Sequence, residues 1–523
     1  MNTKHWHGLL IATALLGVAG CTDLTVEPKS SVTEANIFSD PNSYRAFLAR
    51  VYAGLALSGQ AGGAGLPDIS GIDEGFSQYL RLYWETEELP TDEAVIAWGD
   101  IGLPEMNTAT WTSSSRMVVA MYYRIYFQVV MANEFLRQTT DAKLDGRGVV
   151  GPLRAQIATY RAEARFLRAL SYWHGIDLFG SIPLVTEDNP IGGPLPTQST
   201  RAQIYDFIVS ELNDIRSSLP AAGPSSYGRA TPAAADMLLA QVYLNAGVYT
   251  GTTHYAEALT AASNVVSSGS YSLDPNYQHM FLADNQTSPE IIFAVTQDGK
   301  STQTYGGVTF LVHAACGGNM ATDSSGVDYC WWGLRLKPQA DSFYVAGDRR
   351  ASYFHRSGQN VGIATISNFN DGIAAPKFRN LTAAGVRGSD PTFVDTDFPM
   401  FRLGEAYLIY AEAQLRGGGG NRTQALNYVN ALRVRAYGDS SGVIADPALT
   451  LPFILAERGR ELLWEAHRRT DLVRYGLFTG GAYLWAWKGG VAVGASLAAN
   501  LDLYPLPASE LIANPNLVQN PGY

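Results

Sequence analysis

Charged side chains are scarce in this sequence. Asp, Glu, Lys and Arg fill only 16% of the 523 positions, and the formal net charge is -11. With no basic run anywhere, nucleic acid is excluded as a partner. Apolar runs of membrane-crossing length are missing too: a spanning helix needs about 20 such residues, and the longest candidate, 8–20, falls short. Enzyme signatures are thin. Gly299-Lys300-Ser301 hints at a phosphate loop, but Ala294 stands where the leading glycine is required. No HExxH occurs and the six histidines beyond residue 20 are scattered, which argues against a zinc site. No catalytic residue, metal or cofactor is expected.

Cysteine is nearly absent as well, and the positions of all three are informative. The opening MNTKHWHGLLIATALLGVAGC has a positive start at Lys4 and an apolar run ending in small residues, the form of a secretory signal over residues 1–20. Leu16-Gly17-Val18-Ala19-Gly20-Cys21 has the form of a bacterial lipobox, which makes Cys21 the lipidated first residue of the mature chain. A lipid there anchors a protein to a membrane without threading it through. Cys316 and Cys330 are then the only pair left, bracketing a Gly-, Ser- and Asp-rich loop. In an exported protein such a pair is expected to be a disulfide, stabilising by about 3 kcal/mol through lost chain entropy.

Aromatic residues, by contrast, are plentiful at 11%, with 28 Tyr and 10 Trp. A surface poor in charge and rich in Tyr, Trp, Asn and Gly suits neutral polar ligands such as sugars, although many of these rings must be core. Helical periodicity dominates the chain. Residues 117–139 and 153–179 read as a helical hairpin, followed by a helix near 204–219. Thr231-Pro232 is a strong helix start; it launches a helix whose partner is 255–267. A second such pair spans 400–415 and 422–436. Ala413 and Ala425 are spaced like the small residues of tetratricopeptide repeats, whose other signature positions are poorly kept. The fold class expected is mostly α: degenerate tetratricopeptide-like helix pairs in one scaffold, with two loop-rich inserts at 58–112 and 270–398 and short strands such as 291–295 and 308–312. Long inserts of this kind are usually functional.

Residues 454–476 read as one helix with Glu457, Glu461 and Glu465 four apart on a face. Carboxyl groups about 5–9.5 Å apart can serve glycoside hydrolysis. Structural ion pairs are the stronger expectation, with Arg458, Arg460, Arg468 and Arg469 at hand. The insert carboxylates Asp73, Glu74, Asp92 and Glu93 remain as alternatives.

Several long motifs together carry a resemblance. EARFLRALSYWHGIDLFGSIPLV (163–185), GRATPAAADMLLAQVYLNAGVY (228–249), FPMFRLGEAYLIYAEA (398–413), ERGRELLWEAHRRTDLVRYGLFT (457–479) and YPLPASELIANPNLVQNPGY (504–523) resemble the SusD/RagB family of outer-membrane nutrient-uptake lipoproteins. GIDEGFSQYLRLYWETEELPTDEAVIAW (71–98) and QDGKSTQTYGGVTFLV (297–312) resemble its starch-system branch. The resemblance implies residues 21–250 as an N-terminal and 251–523 as a C-terminal region of one SusD-like fold. It also implies a surface-exposed, outer-membrane protein that captures an oligosaccharide and caps a SusC-like TonB-dependent transporter barrel, and no enzyme. For the site it implies Asp73, Arg81, Trp98 and Tyr305, with Tyr329, Trp331 or Trp332 as the third aromatic. Ile96 stands where the family's arc has a tryptophan, and Ile101 where it has an asparagine that bonds sugar. Trp331 and Trp332, if extended, point opposite ways, one to pack and one to face ligand. The alternatives from other classes are a surface glycosidase using loop carboxylates and a repeat scaffold that binds only protein.

Cys21→Ala should move the protein from the membrane fraction to the soluble one with its melting temperature unchanged. Retention on membranes after a high-salt wash would overturn the lipid anchor.

Overall fold

Helices are the main regular structure of the described residues, about half of them, and most helices pack on a neighbour close in the chain. The computed structural model describes residues 37–63 and 65–523; Cys21 and the expected signal segment lie outside the described residues. Contacts distinguish two units, the residues up to Tyr44 and Arg45–Tyr523. In the first, Phe38 packs on Tyr44 with ring centres 5.1 Å apart.

The principal helices are α1 (Tyr79–Glu88), α2 (Arg116–Gln138), α3 (Gly151–Phe179), α4 (Arg201–Ile215), α5 (Pro232–Leu244) and α6 (Tyr255–Ser267). They continue with α7 (Gly307–Ala314), α8 (Leu403–Leu415), α9 (Arg422–Tyr437), α10 (Leu451–Glu461) and α11 (Arg468–Arg474). Helix α3 packs between α2 and α4, α5 packs on α6, and α8 packs on α9. Helix α6 also packs on α8, so the two repeat-like pairs stack directly although the second insert separates them in sequence. The sequence signals explain the boundaries. Thr200 and Gln203 form a capping box at the start of α4. Thr231 accepts from Ala234 N at 3.2 Å, and Pro232 opens α5. Ala413 and Ala425 are both fully buried, where α8 meets α9. From Ala162 to Phe179 every residue of α3 except Arg165 is buried, and a helix enclosed on all sides belongs to the core.

Among the described residues six short strands make three antiparallel pairs: β1 (Ala94–Ile96) with β5 (Leu334–Leu336), β2 (Ile182–Pro183) with β3 (Gln198–Ser199), and β4 (Ile291–Val295) with β6 (Phe398–Arg402). The strand expected at 291–295 is β4. The one expected at 308–312 is instead helix α7. A short apolar run fits a buried helix as well as a strand, and here Phe310 N bonds Gly306 O at 3.2 Å to close a first helical turn.

The single helix expected over 454–476 is two, α10 and α11. Between them Trp464 and Ala466 sit in the left-handed region, at φ 60° and 61°. Carboxylates of the first insert pull the backbone out of the helix: Trp464 N donates to Glu93 at 3.2 Å and Ala466 N to Glu88 at 2.7 Å. The ion-pair reading of Glu457, Glu461 and Glu465 holds, but with other partners. Arg350 reaches Glu457 (2.8 Å) and Glu461 (2.9 Å), and Arg402 reaches Glu290 (2.9 Å), Glu461 (2.7 Å) and Glu465 (2.6 Å). Arg435 bridges Glu290 and Glu461, and Lys377 meets Glu465 at 2.6 Å. Of the four expected arginines only Arg460 serves, on Glu457; Arg458 pairs with Asp471, Arg468 with Asp92, and Arg469 lies beside Glu87 and Asp177.

Burial alone would lift the Glu461 carboxyl, but Arg435, Arg402 and Arg350 hold it well below the usual carboxylate range. Glu457 is held low in the same way by Arg350, Arg460 and Arg433. A carboxylate depressed in the folded state stabilises fully above its unfolded pKa, near 4.3, and loses that contribution as pH falls below it. Glu461→Gln should therefore cost about 3–5 kcal/mol at neutral pH, because it removes the one buried carboxylate charge that Arg350, Arg402 and Arg435 share. It should also flatten the acid arm of the stability curve below about pH 4.3. Urea titrations across pH check both; a variant as stable as wild type at pH 7 would contradict the network's role.

Candidate functional site

The buried acidic helix of the first insert fixes where the aromatics emerge. Arg468 grips Asp92 with two bonds of 2.7 Å, and Tyr483 donates to the same carboxylate at 2.6 Å. Lys337 donates to the carbonyls of Thr91 (2.6 Å) and Leu89 (3.2 Å), and burial lowers its pKa to about 7. Burial raises Glu93 to about 8 and Glu88 well above its ordinary range, the Glu93 carboxyl adding to the effect on Glu88. Asp92 and Glu93 are thus structural and closed to solvent, as is Glu74.

From this base β1 pairs with β5 in the register Ala94↔Leu336 to Ile96↔Leu334. The ladder runs one step further, Ala97 N to Gly333 O at 2.9 Å. Trp98 follows on one strand and Trp331 precedes the other, so pairing alone brings them together. Trp98 Nε1 donates to Trp331 O at 2.9 Å, and the rings lie 6.2 Å apart. Gly333 is required here, since a Cβ would come within 2.8 Å of the Trp98 ring. Ile96, inside this ladder, is fully buried and is no substitute for a surface tryptophan, whereas Ile101 is exposed.

Cys316 and Cys330 form the expected disulfide, with Cα atoms 4.8 Å apart. Beside it Trp331 N bonds His313 O (2.9 Å), Trp332 N bonds Cys316 O (3.0 Å) and Gly333 N bonds Ala314 O (2.8 Å). Trp331 is half-buried and stacks on the His313 ring at 4.4 Å. That ring faces two carbonyls, Tyr329 O at 2.5 Å and Thr392 O at 2.7 Å. Burial lowers the His313 pKa, with the two carbonyls opposing it. Trp332 does not continue an extended chain: its φ is 56°, and its exposed ring lies 5.8 Å from Phe369, away from the cluster. The alternation expected for the two tryptophans therefore lacks its premise, and the half-buried ring is the one that joins Trp98.

Tyr305 completes the cluster, 6.1 Å from Trp331 and 5.2 Å from Phe393. Its turn is clamped by the first insert. Glu74 accepts from Tyr305 N (3.0 Å), from Thr304 Oγ1 (2.6 Å) and from Ser58, while the Gln78 amide accepts from Gly307 N at 3.0 Å. A Cβ on Gly306 would meet the Gln78 side chain at 2.3 Å, which explains a glycine in the Tyr-Gly-Gly sequence. Asp73 is exposed, accepting from Gly75 N at 2.9 Å, and Tyr329 is exposed at 68%. Arg81 is buried, layered between Phe76 (3.9 Å) and Phe310 (4.1 Å) and bonded to Glu85 at 2.8 Å. It lies beneath the cluster as part of its floor. Phe310, His313 and Phe393 were not legible as site residues: the run 308–312 that holds Phe310 read as a strand, and His313 lies just past it. Among the described residues no group of three His, Cys, Asp or Glu side chains is arranged to hold a metal.

The structure is a mostly helical scaffold that presents clustered aromatic rings, with Glu74, Asp92 and Glu93 buried behind them and Asp73 exposed. The comparisons give its family. Residues 351–523 match the family described as the SusD family, and 80–244 match one described as "Starch-binding associating with outer membrane". The starch-binding protein SusD of Bacteroides thetaiotaomicron is 35% identical over 100% of both chains, and the SusD-like protein P2 of Formosa agariphila is 26% identical over 97% of this chain and 98% of that one. Among solved structures, a surface glycan-binding protein A of Bacteroides thetaiotaomicron in complex with laminarihexaose is similar with a TM-score of 0.69 at 21% identity, covering 91% of this chain and 98% of that one. The chain belongs to the SusD family, whose members associate with the outer membrane and are not enzymes.

Replacing Cys316 and Cys330 together with serine should leave far-ultraviolet circular dichroism nearly unchanged, since neither cysteine lies in a helix. Tryptophan fluorescence should shift as the Trp331 segment loosens. Two free thiols in the unreduced, trypsin-digested protein would refute the bridge.

Proposed function

We propose that this protein captures a glycan on the cluster formed by Trp98, Tyr305 and Trp331, with Asp73 and Tyr329 at its margin. The observation that carries the reading is the convergence of three rings from three chain segments, each held from behind and each leaving some surface open. A sugar's C–H face packs on such rings by apolar contact, and an exposed carboxylate such as Asp73 is a strong acceptor for hydroxyls. A full-length relative named for starch binding supports the same class of ligand. Further, the protein is a lipoprotein attached through Cys21, displayed at the outer-membrane surface, which delivers its ligand to a SusC-like TonB-dependent transporter barrel that it caps. Glycoside hydrolysis has no support from Asp92, Glu93 or the Glu457–Glu465 set, all buried and bonded.

A Trp98→Ala, Asp73→Asn double variant should lose at least about tenfold in glycan affinity, roughly 1.4 kcal/mol. Its melting temperature should fall by only a few degrees, because Trp98 is half-buried and Asp73 exposed. Calorimetry with the glycan that wild type binds decides; unchanged affinity would remove the site, and loss of the fold would make Trp98 a packing residue.

A further inference from the structure

A second opening adjoins the aromatic cluster. A groove of about 520 Å³, within the roughly 300–1,000 Å³ of small-ligand sites, is lined by Trp98, Pro104, Glu105, Thr108, Ile366 and Trp487, among others. Its walls come from the end of β1, the short helix Leu103–Thr108, the loop at 364–367 and the turn at Trp487. Both indoles are half-buried. Both have already committed their N–H groups at 2.9 Å, Trp98 to Trp331 O and Trp487 to Ile363 O. What the indoles can offer the groove is apolar ring.

The polar side chains there are hydroxyls, one carboxylate and the Asn107 amide, which is taken up by the Ile96 backbone. Thr108 and Thr110 share a hydroxyl contact of 2.8 Å, Ser367 is exposed, and the Glu105 carboxylate has no partner among the described residues. Among the described residues no Lys or Arg lines the groove. Ring surface, hydroxyls and a free carboxylate without a cation recognise a neutral polyhydroxylated chain and disfavour an anionic one.

We infer that this groove is an extension subsite for a neutral oligosaccharide. The chain seated on Trp98, Tyr305 and Trp331 passes Trp98 and enters the groove, where Trp487 supplies further apolar ring and Glu105 accepts hydroxyl bonds. This rests on the glycan-binding reading and narrows it: the ligand is neutral and longer than the aromatic cluster alone can hold.

Calorimetry would compare maltotriose with maltoheptaose, and laminaritriose with laminarihexaose, on wild type, Ser367→Trp, Glu105→Gln and Trp487→Ala. Retention on starch and laminarin affinity gels would be measured beside it. Wild type should favour the longer member of the series it binds by about tenfold or more. Ser367→Trp, which adds bulk at an exposed position in the groove, should shrink that ratio to about twofold or less, and weaken gel retention. Glu105→Gln and Trp487→Ala should shrink the ratio partly; if Trp487→Ala does not fold, the Ser367 variant still decides. Wild-type binding with a ratio and gel retention unchanged in Ser367→Trp leaves the groove empty and overturns the inference while the glycan reading stands. Equal affinity for oligogalacturonate overturns the neutral class. Wild type that binds neither series nor either gel takes down the glycan reading and this inference with it.

Discussion

The buried ion pairs between the segment 457–474 and the rest of the chain are the constraint on which the structure depends. Arg402 on β6, Arg350 in the 3-10 turn Arg349–Ala351, Arg435 on α9 and Lys377 all converge on carboxylates of one short stretch, while Arg468 in that stretch reaches back to Asp92 before β1. Replacing such pairs wholesale with apolar residues can be neutral, whereas breaking one leaves a charge buried without a partner. Their value here is therefore in register more than in net stability. Each pair is satisfied only if a helix, a strand and an insert arrive in one arrangement, and any slip strands several charges at once.

That arrangement is what makes the aromatic cluster rigid. Trp84 Nε1 bonds Trp464 O at 3.0 Å, tying α1 to the break between α10 and α11. Asp92 follows two residues before β1, so the salt bridge to Arg468 fixes the strand whose end presents Trp98. The opposing strand β5 leads back through Gly333 to Trp331, whose other side is set by His313 and the disulfide. Ordering a rotamer-rich side chain on binding costs about 0.5–1.5 kcal/mol. Rings held this way, from the core outward, have already met most of that cost.

Local patterns were legible in the sequence and distant partners were not. Thr231-Pro232 and the periodicity of 117–139 and 153–179 mark helices whose caps and buried faces depend on near neighbours, and α2, α3 and α5 appear where expected. The cysteine pair was legible because the only other cysteine, Cys21, stands in the expected lipobox. The break inside 454–476 was not, because Glu88 and Glu93, which pull Trp464 and Ala466 out of the helix, lie about 370 positions away. For the same reason Arg81 could be matched as a site residue but not recognised as floor. Trp487 escaped notice altogether: nothing in AYLWAWKGG says that its turn will face Trp98 across a groove.

The low charge content and the choice of ligand are two sides of one allocation. Arg124, Arg168, Arg335, Arg350, Arg402, Arg458 and Arg469 are among the largest fully buried side chains in the protein. A chain with only 37 Lys and Arg that commits so many of them to the interior has few cations left for its surface. Asp73, beside the Glu74 that clamps Tyr305, Asp100, two residues after Trp98, and Asp328, three before Trp331, are exposed carboxylates, and carboxylates disfavour anionic polymers and accept bonds from hydroxyls. With those cations held inside, the face proposed for glycan offers ring, hydroxyl and carboxylate, a surface suited to uncharged sugar.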